Sequence, residues 1–192
     1  WYSGMEGGNS LAKILYGDVN PSGKLPFTIA RDQSEYPYFN PYTDSIKYEY
    51  YHGYTLFEKF NKEIAYPFGY GKSYTDFKYS NLKVINNKFL DSSLVVSVDI
   101  MNIGNFAGKE ITQLYVGFKN SKIDRPVKLL RDFKKNFLDI GERKTIELSV
   151  NFNDLKWYNT ESRKWEIEDI EYEIFVGGSS DEKDLLSSKF KI

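Results

Sequence analysis

Glu6, Asp18 and His52 are the side chains through which this sequence would do acid–base chemistry. Glu6 lies in a glycine-rich run, Gly4-Met5-Glu6-Gly7-Gly8, just ahead of an apolar pattern. A carboxylate there can act as a general acid or base, but it is also simply a good partner for the positive end of a helix dipole; the structural role is the plainer reading. The same run invites a phosphate reading, since bare amides at a helix N-terminus bind anions. It lacks the Lys-Ser/Thr that ends a P-loop, so a tight turn that lets helix and strand approach closely is expected instead. Asp18 precedes Pro21 in a turn and is expected to bond its own backbone. His52 is the single histidine of the chain, so any serine–histidine–acid triad would depend on it. No serine stands in a G-x-S-x-G context, and a packed or surface imidazole is the expectation.

Composition narrows the chemistry further. Cysteine is absent, which excludes disulfides and thiolate metal sites; one histidine excludes a multi-histidine metal site. No cofactor is implied. Chemistry between two carboxylates survives the count, because Asp and Glu total 27. Lys and Arg total 26, so the net charge of −1 provides no field for nucleic acid or a membrane surface. Arg125, Lys128, Arg131, Lys134 and Lys135 lean positive locally, but Asp124, Asp132 and Asp139 dilute them, and a solvated face is expected. No apolar run approaches the ~20 residues of a membrane span. Zero cysteine is compatible with any compartment. The chain opens on Trp1 rather than Met and so reads as cut or processed upstream.

The elements that would position these groups fall into three zones, 1–31, 32–74 and 75–192. In the first, Leu11, Ile14 and Leu15 are spaced for one short amphipathic helix, with Gly17 as its stop. A turn follows at Asp18 to Gly23, and Lys24 to Ile29 reads as a strand with Leu25, Phe27 and Ile29 on one face. About 30 residues of helix, turn and strand cannot bury a core alone, so this zone reads as the last unit of a larger α/β domain.

The second zone holds ten tyrosines (36, 38, 42, 48, 50, 51, 54, 66, 70 and 74) with Phe39, Phe57, Phe60 and Phe68. A disordered linker is poor in aromatics; this one should wrap a surface and pack its rings there. A sugar-stacking platform is the functional alternative. The third zone alternates with period two, for example Leu94, Val96, Val98 and Ile100. Strands are expected at 77–86, 94–102, 109–118, 128–137, 144–151, 171–177 and 185–192. Turn signals fall between them at Asn86-Asn87, Ile103 to Asn105, Asp139 to Glu142 and Gly177 to Asp181. Seven short strands without a cysteine pair indicate a mainly β fold, a fibronectin type III-like sandwich. Trp157 and Trp165 flank a hairpin-like turn; they are expected to close one end of the sandwich, with a carbohydrate-binding face as the alternative.

These segments, in this order, resemble the C-terminal portion of glycoside hydrolase family 3, the β-glucosidase and β-xylosidase family. Trp1 to Ala12 resembles W-x-x-G-x-E-G-G-x-x-L-A, and Leu15 to Pro26 is similar to L-x-G-D-x-N-P-S-G-K-L-P. Tyr66 to Thr75 resembles F-P-F-G-x-G-L-S-Y-T, with Tyr66 and Lys72 as substitutions. Asn102-x-Gly104 with Ala107-Gly108-x-Glu110 resembles N-x-G-x-x-A-G-x-E, while Gln113 to Val116 and Arg125 to Leu130 match Q-L-Y-V and R-P-x-K-x-L. Three positions depart from the pattern, all expected at strand ends and turns: Asp132 for glycine, Ile140 for proline, and Asp169-Ile170-Glu171-Tyr172 for P-G-x-Y.

The resemblance implies an N-terminal (β/α)₈ barrel and an α/β sandwich domain as partners in the same polypeptide, with residues 1–31 as the end of the latter and 32–74 as a connector. It implies a retaining mechanism on β-linked sugars, a nucleophilic aspartate on the barrel and an acid/base glutamate upstream of Trp1. It therefore places no catalytic residue and no metal ligand in this chain, and Glu6 does not match the acid/base position. The chain would buttress its parent, with Tyr48 to Tyr74 as the contact belt; a stand-alone carbohydrate-binding or protein-interaction module is the alternative.

Overall fold

Alternating branched residues place one strand face against a core, and this pattern builds most of the molecule. The computed structural model describes residues 2–85 and 93–192; Trp1 and the expected Asn86-Asn87 turn lie outside the described residues. In chain order the elements are α1 (Gly7–Leu15), β1 (Ile29–Ala30), α2 (Tyr54–Lys59), β2 (Ile64–Tyr66), β3 (Phe77–Ile85), β4 (Ser93–Asn102) and β5 (Gly108–Gly117). Then come β6 (Lys128–Leu138), β7 (Arg143–Asn151), β8 (Trp157–Asn159), β9 (Lys164–Glu166), β10 (Tyr172–Gly177) and β11 (Leu185–Phe190).

Two antiparallel sheets face each other, one ordered β3-β4-β7 and the other β11-β10-β5-β6. This is the fibronectin type III-like sandwich expected from the strand pattern. The observed strand ends lie within one residue of those expected as far as they are described, except that β11 stops two residues early. Register puts Leu94 opposite Val150, Val96 opposite Leu148 and Val98 opposite Ile146. Their side chains meet Leu114, Val116, Ile174 and Val176 from the other sheet in one core. Burying each such aliphatic side chain contributes about 1.5–3 kcal/mol. Tyr172 closes one end of the core, stacked on Phe190 at 5.3 Å and donating its hydroxyl to the Glu168 carbonyl.

Strand β5 breaks the rule of one buried face. Its inward residues Leu114 and Val116 are buried, but so are Gln113 and Tyr115, which point to the outer face. That outer face is covered by residues 51–70. Tyr54 of α2 meets Tyr115 edge-on at 6.1 Å and lies on Phe68 at 4.9 Å. The aromatic segment thus wraps the sandwich, as its composition suggests, and forms a third layer over one sheet.

The N-terminal segment differs from its expected form in one element. No strand spans Lys24 to Ile29; only Ile29–Ala30 forms β1, paired with β2. Pro26 has no amide hydrogen to continue a ladder, and the extended chain at Leu25 instead exchanges backbone hydrogen bonds with Gly69 and Tyr70 (both 2.8 Å). Helix α1 forms as its spacing indicates, and Gly17 stops it at φ 82°. None of its residues is buried: Leu11 and Leu15 are 58% and 71% exposed. Nor does the glycine run serve a close helix–strand approach: a side chain on Gly8 would meet open space, and one on Gly7 only Ser3.

Two of the departures from the family pattern have local reasons. Ile140 and Gly141 (φ 73°) are the centre of a tight turn, with the Glu142 amide donating to the Asp139 carbonyl (3.0 Å). That geometry is type II, in which the first central residue needs φ near −60°, a value Ile adopts and Pro merely fixes. Asp132 lies inside β6 rather than at its end, beside a bulge in the β5–β6 ladder. Its carboxylate accepts from the amide of Ser149 on β7 (2.8 Å), so it ties the rims of the two sheets together.

Candidate functional site

The polar side chains that matter most in this structure sit where residues 2–74 meet the sandwich. Asn20 is the first. Its amide nitrogen donates to the Ala107 carbonyl (3.0 Å), and its oxygen accepts from the Ser73 hydroxyl and the Tyr74 amide (both 2.9 Å). One side chain therefore ties the N-terminal turn, the end of the aromatic segment and the β4–β5 loop together. Asp18, expected to shape this turn, is exposed, and Asn20 does the bonding two residues later.

Lys24 and Glu110 form a second tie, an ion pair at 3.0 Å with both side chains mostly buried. The Tyr79 hydroxyl also donates to Glu110 (3.1 Å); burial and this neighbouring carboxylate push the Tyr79 phenol well above its ordinary range. Gln113 makes the third. Its amide donates to the carbonyls of Gly178 (2.6 Å) and Gly69 (3.3 Å), and its oxygen accepts from Tyr115 (2.6 Å). Gly69 has φ 78°, and a side chain there would fall 2.1 Å from the Gln113 oxygen. Glycine is required at this position both by backbone conformation and by space.

The fourth tie carries charge into the interior. Lys128 is 2% exposed and pairs with Glu58 of α2 at 2.7 Å. Burial raises the Glu58 carboxyl above its usual range, and the Lys128 ammonium pulls it back part of the way. Arg125 makes a similar pair with Glu168 at 3.2 Å and covers the Phe118 ring. The expected solvated basic face is thus corrected: Arg125 and Lys128 are buried partners in ion pairs, and Lys134 and Lys135 are the members left in solvent. Charges on long stems cross an apolar layer only where a carboxylate waits.

The acid–base candidates do not converge. Glu6 stands at the N-cap of α1, exposed, and accepts from the Asn9 amide (2.7 Å). His52 is exposed, with Nδ1 3.2 Å from the Tyr50 carbonyl. Among the described residues no group of three or more His, Asp or Glu side chains is placed to hold a metal ion. No described helix is long and apolar enough to cross a membrane.

The tyrosines divide into two populations. Tyr36, Tyr51 and Tyr54 are held by hydrogen bonds: Tyr36 accepts from the Ala30 amide (2.8 Å), Tyr51 donates to Asp124 (2.6 Å), and Tyr54 accepts from the Leu130 amide (3.0 Å). Tyr38, Tyr42 and Tyr48 stand out, 90%, 94% and 70% exposed, beside the outward Phe39 and Phe60. The expected belt from Tyr48 to Tyr74 is therefore split: Tyr51 and Tyr54 bond to the sandwich, while Tyr48 and Tyr50 stand in solvent. Trp157 and Trp165 lie on the β8–β9 hairpin, with Trp165 meeting Tyr158 edge-on at 5.6 Å.

Two family models match this chain. Residues 1–74 match the glycosyl hydrolase family 3 C-terminal domain, and residues 110–180 match the fibronectin type III-like domain. A beta-glucosidase from Kluyveromyces marxianus is 41% identical over the whole chain, which covers 23% of that relative. The chain belongs to glycoside hydrolase family 3. Thermostable beta-glucosidase B of Acetivibrio thermocellus is 39% identical over 94% of this family 3 chain, which covers 25% of it. Among solved structures, beta-glucosidase 3B from Thermotoga neapolitana in complex with glucose superposes with TM-score 0.86 at 39% identity, covering all of this chain and 27% of that one. The beta-D-glucoside glucohydrolase from Trichoderma reesei gives TM-score 0.87 at 34% identity, over 98% of this chain and 29% of its own. The chain thus spans about a quarter of the length of these family 3 relatives and corresponds to their C-terminal portion. The four ties explain several of its motifs in physical terms. Asn20 sits in N-P-S-G-K-L-P, Gly69 in F-P-F-G, Gln113 in Q-L-Y-V, and Arg125 and Lys128 in R-P-x-K. Asn102 of N-x-G is wholly buried, accepting from Thr75 (2.5 Å) and donating to the Phe106 and Leu138 carbonyls (2.8 and 3.2 Å).

Proposed function

We propose that this chain serves a retaining β-glucosidase as its C-terminal buttress. In this reading residues 1–31 end an α/β sandwich domain, 32–74 form the connector, and 75–192 are the fibronectin type III-like domain. The hydrolysis is double displacement between two carboxylates about 5–5.5 Å apart, supplied by a (β/α)₈ barrel and the α/β sandwich domain and not by this chain.

The observation that carries the reading is the unpartnered apolar face. Helix α1 turns Leu11 and Leu15 outward, and further along the chain Tyr38, Phe39 and Tyr48 stand in solvent around one shared recess. Rings and branched side chains exposed in such number mark a contact surface. The hydrogen-bonded tyrosines and the four ties anchor this segment on the sandwich.

A chimera tests this. This chain replaces the matching quarter of the Kluyveromyces marxianus beta-glucosidase, and hydrolysis of an aryl β-glucoside is measured. The chimera is expected to be active, the Leu11→Lys/Leu15→Lys chimera to lose most of that activity, and the isolated chain to have none. Turnover by the isolated chain, or a folded chimera indifferent to both lysines, would overturn the proposal.

A further inference from the structure

At one end of the sandwich a recess of about 260 Å³ opens between the β8–β9 hairpin and the strands beside it. Trp157, Tyr158 and Trp165 of the hairpin and Tyr50 of the aromatic segment line it, together with Arg131 and Asp154. Trp165 and Tyr50 are largely exposed, 65% and 64%. Neither ring is needed to fill the core.

Asp124, Arg125 and Lys156 also border the recess. Asp124 is engaged by Lys59 and Tyr51 (both 2.6 Å), whereas Arg131 and Asp154 are not paired with each other as Arg125 and Glu168 are. Arg125 is saturated by Glu168 at 3.2 Å and by the Phe118 ring. The Arg131 Nε is shut off from solvent and has no hydrogen-bond partner among the described residues. Burial disfavours the Arg131 charge, and Asp154 is the carboxylate whose field most opposes that. Because Nε is closed off, a neutral acceptor in the recess would meet this guanidinium through its terminal nitrogens, and the Asp154 carboxylate offers acceptor oxygens.

Aromatic faces with convergent donors, Arg131 and Lys156, and a convergent acceptor, Asp154, suit a polyhydroxylated ring. The ring's C–H bonds, partially positive, lie on the negative faces of indole and phenol, while its hydroxyls both donate and accept. Pockets for drug-sized ligands start at about 300 Å³, so this one takes a single ring. We propose that the recess is a non-catalytic binding site for one neutral pyranose unit, stacked on Trp165 and held by Arg131 and Asp154. The site is independent of the buttress reading, since it uses none of the apolar face argued above.

The chain has three tryptophans, and two of them line the recess. Tryptophan emission is followed while methyl β-D-glucopyranoside is titrated into the 192-residue chain, with sodium sulfate in a parallel series. The sugar is expected to give a saturable change that sulfate neither produces nor displaces. Trp165→Ala, at an exposed position, is expected to weaken binding at least tenfold by saturation-transfer NMR with an unchanged far-UV spectrum; Arg131→Gln is expected to do the same. Absence of saturation at the solubility limit of the glucoside, unchanged affinity in a folded Trp165→Ala, or displacement by sulfate would overturn the assignment.

Discussion

Replacing Lys128 by Met should be among the most damaging single changes in this chain. Lys128 is 2% exposed and Glu58 18%, and their charged atoms are 2.7 Å apart. Methionine is one heavy atom shorter than lysine but keeps an unbranched apolar stem, so packing changes little. What is lost is the compensating charge, which leaves a carboxylate between α2 and the sheet. Breaking one side of such a pair costs about 3–5 kcal/mol, whereas replacing both sides with apolar groups is often neutral or better. Lys128→Met is therefore expected to lower the unfolding free energy by about 3–5 kcal/mol at neutral pH, and the Lys128→Met/Glu58→Leu double variant to regain most of it. Urea unfolding followed by circular dichroism measures both, provided the slope of the transition is unchanged.

The pH dependence gives a second handle. Burial raises the folded-state pKa of Glu58 above its unfolded value, and Lys128 opposes the shift; removing Lys128 raises it further. In the window between the two pKa values the folded state binds more protons than the unfolded one, so stability falls as pH rises through it. The single variant is thus expected to recover relative to the parent chain on acidification from neutral pH, and the double variant to show no such recovery. A loss under about 1 kcal/mol in Lys128→Met, or a double variant no better than the single, would refute the claim that this pair is desolvated and coupled.

Further outcomes follow from the other ties and turns. Gly69→Ala combines a φ of 78° with a 2.1 Å approach to Gln113, and is expected to cost about 2–3 kcal/mol, read as a lower urea midpoint. Asn20→Ala removes three hydrogen bonds at about 1 kcal/mol each; limited proteolysis is expected to release residues 1–31 faster than from the parent chain. Ile140→Pro occupies the first central position of a type II turn and is expected to stabilise by about 0.4–1 kcal/mol, a rise of about 1–4 °C in melting temperature.

The sandwich was legible in the sequence because its cause is local. A strand that buries one face must alternate, and β7 does so without interruption over Ile146 to Val150, while β4 carries Leu94, Val96, Val98 and Ile100 at every second position. Turn residues mark where each strand ends, so boundaries follow closely. Gly17 and the helix before it were legible for the same reason. The strand expected from Lys24 to Ile29 does not form, because alternation outlives Pro26 in the sequence but not in the ladder. The ties were not legible. Lys24 and Glu110 are separated by 86 residues. Gln113 amid Leu114-Tyr115-Val116 signals a buried amide but not its partners. Asp18 and Asn20 are interchangeable as turn formers, and only the arrival of Ala107 and Ser73 selects the amide, which donates as well as accepts.

Residue order and composition establish a family 3 C-terminal portion with a β-sandwich, and a single histidine with no cysteine excludes multi-histidine and thiolate metal sites. Three-dimensional packing selects which tyrosines are hydrogen-bonded, which basic residues are buried in ion pairs, and where aromatic and charged groups converge on one recess. Periodicity records whether a side chain meets solvent or core within its own element. It carries no information about which distant element supplies the other half of a hydrogen bond or the charge that makes a buried ion tolerable.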